Sequence, residues 1–179
     1  MALKVANRYA RALADVVGDA GAYRGALDEL RVFRGIYGES AELRDLFEAP
    51  AVPLLPKLRV LDAIVKRLDL SLAVSNFLRV LVKNFRMSHY EEIWQAYRRI
   101  ANERMGIAVI KIFSATELGA AEREALASRF REVTGKEVEF EFYLEPELVG
   151  GLRAQVGSTV YDGSVRGALD RFKEQLTAA

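Results

Sequence analysis

The sequence predicts an α+β protein, with an N-terminal all-α six-helix bundle over residues 1–105 followed by a small C-terminal α/β domain with a mixed sheet over residues 106–179. Three observations carry this expectation. Apolar residues recur at helical spacing through the first hundred positions. Directly after Gly106 the period changes from helical to alternating. The run KEVEFEFYL, residues 136–144, alternates polar and apolar as a strand with one buried and one wet face does.

The helices follow in order. From Ala2 to about Val17, the residues Val5, Tyr9, Ala12, Leu13 and Val16 share one side, with Arg8, Arg11 and Asp15 on the other. Gly18 and Gly21 punctuate its end. A second helix, Ala22 to Tyr37, carries Leu27, Leu30, Phe33 and Ile36, and Gly38 suits a left-handed C-terminal cap. Ser40 opens a short third helix. Pro50, Pro53 and Pro56 separate it from a fourth bearing Leu58, Leu61, Ile64, Val65 and Leu68. Ser71 caps a fifth helix, Leu72 to Phe85. Ser88 and Glu91 have the spacing of a capping box for a sixth, which runs through Trp94, Tyr97 and Ala101 to about Arg104.

Beyond Gly106, Ile107 to Phe113 reads as a strand and Ala120 to Val133 as a helix ended by Gly135, with Leu126 and Phe130 inward. In the next strand Val138, Phe140 and Phe142 face the core, and Glu137, Glu139 and Glu141 face water. Leu152, Ala154 and Val156 alternate with Arg153 and Gln155. Gly157-Ser158 before Thr159-Val160-Tyr161 fits a two-residue hairpin turn. A last helix from Ser164 places Val165, Leu169, Phe172 and Leu176 on one stripe.

Composition narrows the chemistry. With 51% hydrophobic and 28% charged residues over 179 positions, the chain can bury a real core. Lys and Arg number 26 against 25 Asp and Glu, so no global footprint for nucleic acid or an anionic membrane exists. The absence of cysteine excludes disulfides, thiolate metal sites and cysteine nucleophiles, and fits a reducing compartment. No apolar run reaches the length that spans a bilayer, and the opening MALKVANRYARALADVV reads as an amphipathic helix of the mature protein. His89 is the single imidazole, too few for a histidine triad or a paired-histidine zinc site, and reads as an exposed first-turn residue. Neither GxxxxGK[ST] nor GxGxxG occurs, so no nucleotide or other cofactor is expected. Glu137, Glu139 and Glu141 share a face that could hold a cation, but charges on the wet side of a sheet need no such cause. Arg8, Arg11, Arg98, Arg99 and Arg104 read as solvated helix faces rather than a nucleic-acid surface.

The fifth helix is richer in apolar residues than one core-facing stripe can use. Between Leu72 and Val82 only Ser75, Asn76 and Arg79 are polar. If Leu78, Leu81 and Phe85 serve the core, Phe77 and Val80 remain for a second surface, matched on the first helix by Tyr9, Ala12 and Val16. A helix packed on all sides within the bundle explains the same pattern.

The stretch ELVGGLRAQVGSTVYDGSVRGALDRFKEQL resembles the signature of the F-type ATP synthase delta subunit, whose mitochondrial counterpart is the oligomycin-sensitivity-conferring protein. It joins Leu148, Gly150, Gly151, Gly157, Asp162, Ser164, Leu169 and Leu176 in register. ANRYARAL and NFLRVLVKNFRM extend the likeness over nearly the whole chain. The glycines suit a tight strand entry and a hairpin turn, and Asp162 with Ser164 suits a helix cap, so this signature marks a fold rather than a catalytic site. Ser158 stands where an acidic residue is common.

The resemblance implies a non-catalytic stator protein of the peripheral stalk, without cofactor or metal, attached to the membrane only through partners. Residues 1–105 would hold the amphipathic N-terminal helix of an alpha subunit between the first and fifth helices, in a groove lined by Tyr9, Ala12, Val16, Phe77 and Val80. Residues 106–179 would grip the stalk b subunits, with the beta subunit as a further contact. A start without a transit-like leader fits the cytoplasmic face of a bacterial plasma membrane. A helical adaptor of another assembly and a nucleic-acid-binding domain are the alternatives.

Overall fold

The computed structural model describes residues 2–148, 151–157 and 159–163. The chain separates into two compact units, Met1–Met105 and Gly106–Ala179. The first contains α1 (Ala2–Val17), α2 (Ala20–Glu39), α3 (Ala41–Glu48), α4 (Leu54–Leu68), α5 (Leu72–Lys83), a 3-10 turn (Met87–His89) and α6 (Tyr90–Arg104). α1 packs along α6, α2 lies against α6, α4 against α5, and α5 also meets α1 and α2.

Side-chain caps set the starts of α2, α3 and α5. The Asp19 carboxylate accepts from the Ala22 amide at 2.9 Å, and Ser71 Oγ accepts from Val74 at 3.4 Å. The Ser71 amide and hydroxyl both donate to Glu29 Oε2, at 2.8 Å each, which ties the start of α5 to α2. Two expectations about α2 are corrected. It begins at Ala20 because Asp19 caps it, so Gly21 is helical. It ends at Glu39 rather than at Gly38, because Ser40 closes α2 through its amide to the Ile36 carbonyl and opens α3 by accepting from Leu43.

The core between α2 and α6 is aromatic. Phe33 meets the Tyr90 ring edge-on at 5.3 Å, and Tyr37 lies 5.9 Å from it. Burial raises the Tyr90 phenol pKa, and its hydroxyl donates to the Leu30 carbonyl at 2.8 Å.

The Ser88–Glu91 capping box does not form. Residues 87–89 make a 3-10 turn, His89 occupies the N-cap of α6 half-buried rather than exposed, and no side chain caps the helix. Glu91 is engaged elsewhere: Arg34 donates to it through Nε at 2.6 Å and Nη2 at 2.9 Å, and Gln95 adds a third bond at 3.1 Å. Burial opposes the Glu91 charge, but the Arg34 and Gln95 hydrogen bonds and the Arg34 charge outweigh it and hold the carboxyl below its usual value. A depressed folded-state pKa gives stabilisation that is present above the unfolded glutamate pKa and lost as pH falls through the folded value. Ser88→Ala is therefore expected to change stability by less than about 0.5 kcal/mol. Glu91→Gln is expected to cost about 0.5–1 kcal/mol at neutral pH and nothing at pH 2, read by urea unfolding at both pH values.

Phe85 does not join the core either. It is 53% exposed and adopts a left-handed φ of 54°, in a C-terminal motif where Arg86 donates to Leu81 O at 2.9 Å and Phe85 to Val82 O at 3.2 Å. Glycine is the usual residue there. The ring lies 5.1 Å from the Lys57 ammonium, which is a reason for an aromatic in a strained position. Phe85→Ala loses the ring and keeps the backbone cost, whereas Phe85→Gly loses the ring and relieves it. The alanine variant is expected to be the less stable of the two by about 1 kcal/mol, followed at the single tryptophan, Trp94.

The second unit comprises β1 (Ile107–Ser114), α7 (Ala120–Thr134), β2 (Glu137–Leu144), β3 (Leu152–Val156) and β4 (Thr159–Asp162). The strands form one mixed sheet in the order β2-β1-β3-β4, with β1 parallel to β2 and antiparallel to β3. Ile110, Ile112 and Ala154 form its core, packed by Phe130 of α7 and by Val138 and Phe140 of β2. Gly135 closes α7 in the left-handed region. Gly157, at φ 59°, turns the β3–β4 hairpin, in which Val156 pairs with Thr159. Phe142 departs from expectation: it shares the inner face of edge strand β2 but is 37% exposed, its ring covered by the Arg123 guanidinium at 4.5 Å. The expected final helix, with Ser164, Val165, Leu169, Phe172 and Leu176, lies outside the described residues, as do Gly150 and Ser158.

Candidate functional site: an apolar groove between two helices

α1 directs Ala6, Ala10, Leu13 and Ala14 into the core, and the three alanines let it lie close to α6. Beside that stripe, Tyr9, Ala12 and Val16 form a second line, in which Tyr9 also packs against the core while Ala12 and Val16 are exposed. On α5, Val74, Leu78, Leu81 and Val82 are buried, while Leu72, Asn76 and Val80 recur every fourth residue on the outward side. These two lines face each other across a groove of about 790 Å³. Leu13 and Phe77, 2% and 8% exposed, form its floor and belong to the core as well. Its walls are apolar and wet: Val16 is 71% exposed, Leu72 75% and Val80 43%.

All five residues that the sequence reading places on a groove, Tyr9, Ala12, Val16, Phe77 and Val80, line this one depression. Phe77 differs in role, since the core shares it. Sequence reasoning missed Arg8, Leu13, Leu72, Ala73 and Asn76. Leu72 was legible, standing four residues before Asn76 and eight before Val80. The polar rim is modest. The Arg8 guanidinium sits 5.7 Å from the Tyr9 ring centre, and Asn76 Oδ1 accepts from Arg79 Nη1 at 3.0 Å.

Of the signature residues, Gly151 (φ 81°) precedes β3, Gly157 turns the hairpin, and Asp162 ends β4 opposite Arg153. Gly150, Ser164 and Leu169 lie outside the described residues.

A second depression, of about 590 Å³, lies among α2, α3 and the 3-10 turn. Several of its polar groups are engaged: Arg34 with Glu91, Tyr37 Oη donating to Glu48 at 2.7 Å, and Arg44 donating to the Gly38 carbonyl. Among the described residues no group of three or more acidic, histidine or cysteine side chains could hold a metal ion, and no helix is long and apolar enough to cross a membrane. Of these two depressions, the groove is the more apolar.

Comparison with known proteins gives it a context. The profile of the family described as ATP synthase delta (OSCP) subunit matches residues 5–176. The ATP synthase subunit delta of Acidobacterium capsulatum is 39% identical over 172 residues, spanning 96% of each chain. Those of Geobacter sp. strain M21 and Myxococcus xanthus are 35% and 32% identical, over 96% and 97% of this chain and as much of their own. A chain in the cryo-EM structure of the Toxoplasma gondii mitochondrial ATP synthase hexamer has the same fold, with a TM-score of 0.75 at 24% identity, covering 97% of this chain and 98% of that one. With likeness of sequence and fold extending over nearly its whole length, the chain belongs to the ATP synthase delta (OSCP) subunit family.

Proposed function

We propose that the groove between α1 and α5 seats the amphipathic N-terminal helix of an ATP synthase alpha subunit, and that residues 106–179 hold the stalk b subunits. The family makes the chain a non-catalytic stator subunit of an F-type ATP synthase, peripheral to the membrane. The helical adaptor of another assembly and the nucleic-acid-binding domain are thereby set aside.

The observation that supports the groove assignment is a line of exposed apolar side chains on each of two adjacent helices, over a floor that the core already fixes. An amphipathic helix with anchors at i, i+3, i+4 and i+7 is the ligand such a surface accepts. Burying Val16, Leu72 and Val80 would supply several kcal/mol at about 1.5–3 kcal/mol for each fully covered side chain.

The function is mechanical. Ion flow turns the rotor, and the catalytic head follows it unless held to the stator. A protein fastened at one end to the head and at the other to the stalk supplies that restraint without chemistry, and slow dissociation is the property it needs. The beta subunit is a further contact in this reading, and the setting is the cytoplasmic face of a bacterial plasma membrane.

The test is calorimetric titration of the full chain with the N-terminal peptide of the cognate alpha subunit. Binding with a negative heat-capacity change is the expected result. A folded chain that takes up no heat on addition of the peptide would refute the groove assignment.

A further inference from the structure

The chain carries a net charge of only +1, yet the two helices that wall the groove are strongly basic. Lys4, Arg8 and Arg11 lie on α1, Arg79 and Lys83 on α5, against a single acid, Asp15. That acid is already engaged, because Arg104 of α6 donates to it. Arg79 is likewise neutralised, by Asp62 of α4 at 2.8 Å. Arg8 and Lys83, like Lys4 and Arg11, have no carboxylate partner among the described residues, and these two lie closest to the groove. Arg8 lines the groove beside Tyr9. Lys83 stands three residues after Val80 and seven after Asn76, at the end of the same α5 line.

Each cation has an ordinary explanation. Arg8 is on a solvated face, and Lys83 complements the C-terminal end of the α5 dipole. What those explanations leave unaccounted for is their position: Arg8 lines the α1 wall, Lys83 follows one turn beyond Val80 at the end of α5, and no acid lines the groove between them.

We infer that the occupant of the groove is an amphipathic helix with carboxylates on both flanks of its apolar stripe, one set pairing with Arg8 and the other with Lys83. This rests on the groove reading above and adds to it, since apolar burial alone sets no register. Two cations, one on each helix beside the groove, restrict how the bound helix rolls and speed encounter with an acidic partner.

The experiment is titration of the full chain with the alpha-subunit N-terminal peptide at 50 and 300 mM salt, using wild type, Arg8→Gln/Lys83→Gln and Val80→Asp, and repeated with a peptide whose flanking acids are changed to amides. Wild-type affinity is expected to fall about threefold or more with added salt, and the double glutamine variant to bind about three- to tenfold more weakly with little salt dependence. The amide peptide should reproduce that loss on wild type and add nothing on the double variant. Equal affinity of wild type and the double variant at both salts, with Val80→Asp still defective, overturns the charge inference and leaves the groove standing. Failure of wild type to bind overturns both. Peptide binding indifferent to salt together with salt-sensitive retention of wild type, but not of the double variant, on vesicles of phosphatidylglycerol assigns the cations to a lipid surface and overturns the inference equally.

Discussion

Changing Val16 and Val80 together to aspartate is expected to weaken binding of the alpha-subunit peptide by at least about 100-fold while shifting unfolding stability by less than about 1 kcal/mol. The second half follows from exposure. Val16 and Val80 are 71% and 43% exposed, so neither aspartate enters the core, and surface substitutions of this kind are nearly neutral. The first half follows from what the bound helix would cover. Each site would lose about 1–2 kcal/mol of apolar burial and place a carboxylate against apolar surface, a cost of at least as much again. Two such sites exceed the 2.7 kcal/mol or so that corresponds to 100-fold. Phe77→Asp is not a substitute, because Phe77 is 8% exposed and shared with the core, so its loss of binding would come with loss of the fold. Calorimetry on the double variant, with thermal unfolding beside it, separates the two effects.

The largest expected effect on stability comes from a residue that makes no contact with the groove. Lys57, in the first turns of α4, is fully buried, and its ammonium donates to the carbonyls of Phe47 at 3.0 Å and Ala49 at 2.7 Å. Those carbonyls belong to the C-terminal end of α3, where backbone acceptors have no partner within the helix and the helix dipole favours a cation. Lys57→Met keeps the stem's volume and removes the donor, leaving the Phe47 carbonyl short of a partner and the end of α3 uncompensated. The expected loss is about 2–4 kcal/mol, read by denaturant unfolding at Trp94, the tryptophan of α6. Lys57→Arg should recover only part of it, since a planar guanidinium does not fit a site built for a compact ammonium.

Much of this fold was legible because its signals are local. Pro53 and Pro56 announce the start of α4, Ser71 the start of α5, and the switch of period after Gly106 the first strand, which begins at Ile107. The α+β class follows from those periods alone. What failed to show were choices made by partners far away in sequence. Glu91 has the spacing of a capping residue, but Arg34, 57 positions earlier, takes its carboxylate, and no local rule contains that competitor. Gly38 has the look of a helix end, but Ser40 supplies a cap for both neighbours and removes the need for a left-handed residue. No local signal marks Lys57 as buried, and only the carbonyls of Phe47 and Ala49 explain its burial.

The groove was half visible. An excess of apolar residues on α5 signals that the helix has more than one neighbour, but a count cannot say which residue serves which. The structure divides the labour: Leu78 and Leu81 go to the core, Val80 to the groove, Phe77 to both, and Phe85 to neither. Phe85 covers Lys57 instead. That pairing depends on a backbone conformation the sequence does not favour, which is why periodicity placed the ring in the core.

The central claim is that the groove holds the alpha-subunit helix in the assembled enzyme, and cross-linking tests it most directly. Since the chain has no cysteine, Val80→Cys gives it a single thiol on the groove wall, and Val32→Cys gives one at a 49% exposed position on α2 as a control. Each is assembled into ATP synthase carrying one cysteine on the apolar stripe of the alpha-subunit N-terminal helix, then oxidised. The account predicts a disulfide-linked product with the alpha subunit from position 80 and none from position 32. No product from position 80, or equal product from both, would contradict it.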